Sequence, residues 1–266
     1  MTTPAPSLKA LAESKTEGVQ KATIFTVDPD ILVIENGWNG RDINDDLHAY
    51  RQRLKQAMKA GAFIPPVDVE MFEGQPVVRD GHSRTLMARE LKAEGVPYAL
   101  QARQIRGNEA EMRYHMIGSA SGRPLTPLEQ GRQFALLVSY GQTPAAIAER
   151  TGLSRTTIDN GLKLAEAPVA VQQMIATGEV GSHQALKTIR EHGTKAGAAK
   201  LKAAVTEAKA NGKKKATAKQ LPQADTPTIA LLKRLAAVNI MVSHLDREEV
   251  AKLVTEARAL VGGAPA

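Results

Sequence analysis

The stretch that most constrains this 266-residue chain begins at Thr143-Pro144 and continues through Gly152 and Ser154. Thr143 is a helix-capping residue followed by proline at the first helical position, where the missing N–H costs nothing. Gly152 supplies the positive φ that other residues resist, and Ser154 caps a second helix at once. Ile147, Ala148, Leu153, Ile158 and Leu162 fall on facing sides, and the small side chain of Ala148 lets the two helices cross closely. This spacing predicts a helix-turn-helix.

With those apolar positions turned inward, Arg155, Thr156, Thr157, Asp159, Asn160 and Lys163 lie on or beside the outer face of the second helix. Arginine pairs with guanine and asparagine with adenine through two hydrogen bonds, while threonines reach phosphates or a thymine methyl. The candidate DNA-binding set is therefore Thr143, Ser154, Arg155, Thr156, Thr157, Asn160 and Lys163. Ser182 and His183 join it, at the start of a later helix whose N-terminus attracts phosphate. Helix-glycine-helix corners also occur in proteins that never touch DNA, and His183 reads equally as a surface or capping residue.

The formal charge of +7 makes a polyanion the first partner to consider. It is unevenly spread: residues 195–219 hold eight lysines against Glu207 alone, a net +7. The Lys213-Lys214-Lys215 run reads as a solvated linker or as a nonspecific attraction for DNA. Cysteine is absent, which removes disulfides, thiolate metal sites and cysteine nucleophiles. No stretch approaches the ~20 apolar residues of a membrane helix, and residues 1–20 lack the apolar core of a secretion signal. The expected setting is the cytoplasm.

Five segments follow. Residues 1–22 read as a flexible arm. Residues 23–122 mix strand and helix signals: strands at 23–27, 31–34, 67–72, 76–79 and 98–105, and helices from Asp45, from Thr85 and from Asn108. Residues 123–193 lose the strand signals and open on Thr126-Pro127-Leu128-Glu129, which has a cap, a proline and a first-turn acid. Residues 194–225 form a basic linker or a marginal solvated helix. Residues 226–262 resume apolar periodicity, which dimerisation would bury. The fold class is α+β, then an all-α helix-turn-helix domain, then a helical dimerisation segment.

Taken in order, these motifs resemble the ParB family, over residues 24–189. Pro65-Pro66-Val67-Asp68-Val69 and then Val77-Val78-Arg79-Asp80-Gly81-His82-Ser83-Arg84-Thr85-Leu86-Met87-Ala88 look like the family's strand-turn-helix, in which a Gly-x-Arg-Arg box contacts nucleotide phosphates. Pro124-Leu125-Thr126-Pro127-Leu128-Glu129-Gln130 looks like its linker helix, and residues 164–179 resemble the segment after its recognition helix. The resemblance implies CTP binding, with Mg²⁺, by Arg41, Gly81, His82, Ser83, Arg84, Ser119 and Arg123. It also implies a homodimer that closes as a clamp on double-stranded DNA at a palindromic site, partition of plasmid or chromosome, and a ParA-like ATPase as partner. A transcriptional repressor of the same family is the alternative.

The chain departs from the family at His82 and Ser83, where a Glu and the first arginine usually stand; Arg84 is retained. The residues usual for hydrolysis are thus not kept, and no catalytic residue is assigned. Arg84 has a second reading, as the partner of Asp80 or Glu90. His48, His82, His115, His183, His192 and His244 show no metal-ligand spacing. Asp80, His82 and Glu109 or Glu111 would serve a ParB-like nuclease, but without a compact carboxylate cluster for Mg²⁺. Sulfiredoxin shares the fold but depends on a cysteine absent here.

Overall fold

The computed structural model describes residues 7–119 and 122–216. The expected dimerisation segment, 226–262, and the end of the basic tract lie outside them. The chain divides into two compact units, residues 1–177 and residues from 178 onward.

The first unit starts with α1 (Leu8–Glu13), capped by Ser7 and burying nothing, in the segment read as an arm. Next come β1 (Phe25–Val27), α2 (Asp45–Lys59), β2 (Val67–Phe72), β3 (Gln75–Asp80), α3 (His82–Ala93), β4 (Leu100–Gln104) and α4 (Glu109–Gly118). Asn44 caps α2, whose first turn carries Asp45 and Asp46 and whose last carries Lys59, each charge opposed to its end of the helix dipole. Glu73 and Gly74 both take positive φ and close the β2–β3 hairpin.

The sheet order is β1-β4-β2-β3, with β2 and β4 parallel and the other pairs antiparallel. Helices α2 and α3 bring Met58, Met87, Ala88 and Leu91 into one core with Val67, Val69, Val78, Leu100 and Ala102 of the strands. The strand expected at 31–34 does not form. Pro29–Ile31 makes a 3-10 turn capped by the Asp28 carboxylate, and only Val33 bridges to Val77. The proline's fixed φ and the local cap outweigh the β-branched run.

Helices α5 (Pro127–Ser139), α6 (Pro144–Thr151), α7 (Arg155–Ala165) and α8 (Val169–Ala176) complete this unit. Phe134, Leu137, Ile147 and Ile158 form their core, with Ala110 and Tyr114 of α4 joining it. Helices α5 and α7 cross at two mid-helix glycines: a Cβ on Gly131 would stand 2.0 Å from the Gly161 carbonyl oxygen. The loop before α2 is anchored by Trp38, 3% exposed, between the guanidinium groups of Arg79 at 3.9 Å and Arg113 at 4.2 Å from its ring centre.

The second unit holds α9 (Ser182–His192) and α10 (Thr194–Ala210). Ser182 is the first residue of α9, as its sequence suggests, and Gly181 takes the cap position, without a side-chain bond. Within the tract read as a basic linker or a marginal solvated helix, residues 194–210 form a packed helix, because Gly197, Leu201, Ala204, Val205 and Ala208 recur at helical spacing and are buried. Gly197 abuts the backbone of Thr188 and Ile189. Lys195, Lys202 and Lys209 are exposed, which is why the lysine count concealed an apolar stripe.

Candidate nucleic-acid interface and anion cleft

The corner between α6 and α7 is built as its residues require. Thr143 Oγ1 accepts from the Ala146 N–H, Gly152 sits at φ +69°, and Ser154 Oγ accepts from the Thr157 N–H at 3.1 Å. Ile147 and Ile158 are fully buried, which sets the rotation of α7 about its axis. Arg155, Thr156 and Lys163 are consequently exposed and Asn160 is half-buried. Thr157 is partly committed, since its hydroxyl pairs with that of Ser154 at 2.8 Å. Thr143 and Ser154 act in this structure as caps. Ser182 and His183 belong to the second unit, where His183 is exposed in the first turn of α9.

The second candidate set lies at the start of α3. Gly81 takes a left-handed conformation at the N-cap and contributes no side chain, so the first N–H groups of α3 have no side-chain cap. A Cβ at Gly81 would come within 2.5 Å of a Val67 methyl, so the glycine also permits strand and helix to pack. Arg41, Gly81, His82, Ser83, Arg84 and Arg123 line one cleft, together with Asn39, Tyr50 and Asp80. Ser119 lies on a wider neighbouring cleft of about 520 Å³, beside Pro65, Pro66, Asp68, Arg103 and His115. It reaches the first cleft by donating to Asp80 Oδ2 at 2.9 Å.

The arginines of this cleft are held by the protein itself. Arg84 is 5% exposed and donates to Asp80 Oδ2 and to the carbonyls of Pro65 and Pro66. Of its two proposed partners, Asp80 and Glu90, the structure pairs it with Asp80. Arg41 donates to the carbonyls of Arg123 and Pro124, and burial pulls its guanidinium below the ordinary arginine value, with Glu129 opposing that fall. Arg123 pays for burial as well, but hydrogen bonds to Asp46 and Glu129 leave its pKa raised.

His82 is 6% exposed, and its Nε2 has no hydrogen-bond partner among the described residues. Burial pushes its pKa down to about 4, so the imidazole is neutral at pH 7. The cleft holds about 30 Å³, room for roughly two waters. Glu129, with no exposed surface, accepts from the Asp42 and Thr126 N–H groups as well as from Arg123. The sequence shows Glu129 as a capping residue of α5; its hold on the cleft needs residues 42 and 123 brought to it by folding. Asp80 was visible as one candidate partner of Arg84 and as a candidate nuclease carboxylate.

Among the described residues no cluster of His, Asp and Glu suits a metal ion, and no helix is long and apolar enough to cross a membrane.

Residues 123–221 match the model of the ParB HTH domain. The nucleoid occlusion protein of Listeria innocua is 25% identical over 171 residues, which are 64% of this chain and 57% of that protein. This chain thus spans under three fifths of that relative's length. A Pnob8-like ParB-N domain is 12% identical, with a TM-score of 0.48 over 91% of this chain and 97% of that one. The C-terminally truncated chromosome-partitioning protein ParB of Caulobacter crescentus, complexed to the centromeric parS site, is 17% identical, with a TM-score of 0.43 over 71% of this chain and 92% of that one. The α6–α7 corner lies within residues 123–221, so the chain carries, behind a mixed α/β region, a helical segment that matches the ParB HTH domain.

Proposed function

We propose that this protein binds double-stranded DNA at a specific, palindromic site by placing α7 in the major groove, and that it serves plasmid or chromosome partition as a homodimer. One observation carries the reading: full burial of Ile147 and Ile158 turns Arg155, Thr156 and Lys163 outward, within the residues that match the ParB HTH domain. A dimer reading two half-sites explains why such sites are palindromic. A ParA-like ATPase is the partner this reading expects.

The cleft at α3 is proposed to take the phosphates of CTP. Its fit rests on uncapped N–H groups at a helix start, on the guanidinium groups of Arg41 and Arg123, and on the unpartnered His82 Nε2. Bound with Mg²⁺, the nucleotide would supply the charge that draws those arginines off Glu129 and the local carbonyls. Residues 40–42 and α5 share Glu129 and the Arg132–Asp42 ion pair, so the arginine shift would be felt at the helix that packs on α7.

The test is selection of duplexes from a randomised pool, followed by affinity measurement on selected and unrelated DNA. Enrichment of a palindromic motif is expected, with Arg155→Ala weakening the selected site more than unrelated DNA. Equal loss on both would refute base reading by Arg155. Calorimetry with the four ribonucleoside triphosphates, comparing wild type with Arg41→Ala, tests the cleft; failure of all four to bind would end the nucleotide reading and leave DNA binding standing.

A further inference from the structure

Asp159 stands one helical turn beyond Arg155 on α7, and its Oδ1 accepts a hydrogen bond of 2.9 Å from Arg155 Nε. Both side chains remain substantially exposed, at 56% and 41%, so packing does not impose the pair. An exposed ion pair of this kind adds little to folding. Its consequence is directional. A guanidinium carries five N–H donors in a fixed fork, and here Nε is committed to Asp159 while the terminal amino groups have no partner among the described residues. Those two groups are the ones that meet O6 and N7 of guanine side by side. Arg155 is also the first residue of α7, and base edges are met by the N-terminal residues of a recognition helix.

We propose that Asp159 is a positioning residue for base reading: it anchors Arg155 through Nε so that the terminal fork faces a guanine edge, and its carboxylate discourages the same arginine from settling on a phosphate. This rests on the DNA-binding reading above. The two effects make opposite predictions. Removing the carboxylate takes a negative charge away from the face turned toward a polyanion, so nonspecific binding tightens and becomes more salt-sensitive. Arg155, released, loses its fixed orientation, so discrimination falls. A residue that merely stabilised α7 would weaken both kinds of binding together.

The experiment uses the full chain and a randomised duplex pool, with wild type, Arg155→Ala, Asp159→Ala and Asp159→Glu sequenced after selection and titrated on unrelated DNA at two salt concentrations. Wild type is expected to select guanine at one position of each half-site, and Arg155→Ala to lose that preference. Asp159→Ala should cut it about fivefold or more at the same position, while holding unrelated DNA at least as tightly as wild type. Asp159→Glu, which keeps a carboxylate at i,i+4 reach, should restore much of the preference. The proposal is overturned if Asp159→Ala keeps the guanine preference, or if its specific and unrelated affinities fall together. Loss of preference at a different base pair would also overturn it, since Asp159 would then be reading a cytosine amino group itself. Failure of wild type to select any motif would remove the DNA-binding reading, and this inference with it.

Discussion

Replacing Gly131 by alanine tests the crossing of α5 and α7 with a sign that sequence reasoning alone gets backwards. Both glycines are mid-helix, and an alanine in an unobstructed helix interior gains about 1 kcal/mol over glycine. At Gly131, however, the added Cβ would lie 2.0 Å from the Gly161 carbonyl oxygen, 2.6 Å from its carbon and 3.0 Å from its Cα. All three are backbone atoms, so no rotamer change relieves the overlap; α5 and α7 must move apart by about 1 Å in a close-packed interior. Overpacking of this kind costs up to about 3 kcal/mol, which exceeds the propensity gain and leaves a net loss near 2 kcal/mol. For a unit of this size that is a fall of about 4–8 °C in Tm.

Gly161→Ala is the internal control. Its Cβ would meet the Phe134 ring at 2.8 and 3.0 Å, a side chain able to tilt, though it also stands 3.1 Å from the Gly131 Cα. Its loss should be the smaller of the two. The assay is thermal and denaturant unfolding followed by far-UV circular dichroism and by fluorescence of Trp38, the single tryptophan, which belongs to the same compact unit. A Gly131→Ala protein as stable as wild type or more so, or one less affected than Gly161→Ala, would refute the close crossing.

Two further outcomes follow from the structure. His82 has a native pKa depressed to about 4, against an ordinary value of 6.5, so the unfolded chain binds the extra proton first as pH falls. The stability tied to neutral His82 is therefore complete above about pH 6.5 and lost down to about pH 4, by up to about 3 kcal/mol. Denaturation midpoints measured across that window should fall less steeply in His82→Gln, and an unchanged slope would contradict the buried neutral imidazole. Ser154→Ala removes the acceptor for the Thr157 N–H and should cost about 1 kcal/mol, read as a lower denaturant midpoint with unchanged cooperativity.

Much of the candidate DNA interface was legible because its signals are local. Caps at Thr143 and Ser154, the turn at Gly152 and the inward Ile147 and Ile158 lie within sixteen residues of one another and act through hydrogen bonds and periodicity that sequence spacing specifies. The cleft was legible as a set of residues and not as a state. Arg41 and Arg123 are 82 positions apart, and nothing in their spacing shows that one donates to the carbonyl of the other, or that Glu129 holds the second. The basic tract misled for a third reason: counting lysines hid Leu201, Ala204, Val205 and Ala208, whose spacing is helical.

By itself, the sequence determined the helix-turn-helix, the α+β region ahead of it and the outward face of α7, since short-range capping and apolar periodicity suffice for each. Tertiary structure alone decided how closely α5 and α7 approach, that the cleft's arginines bind the protein's own carbonyls and carboxylates, and that His82 is kept neutral. Those outcomes depend on burial and on contacts between residues far apart in the chain, where desolvation and backbone sterics act and local propensity has no influence.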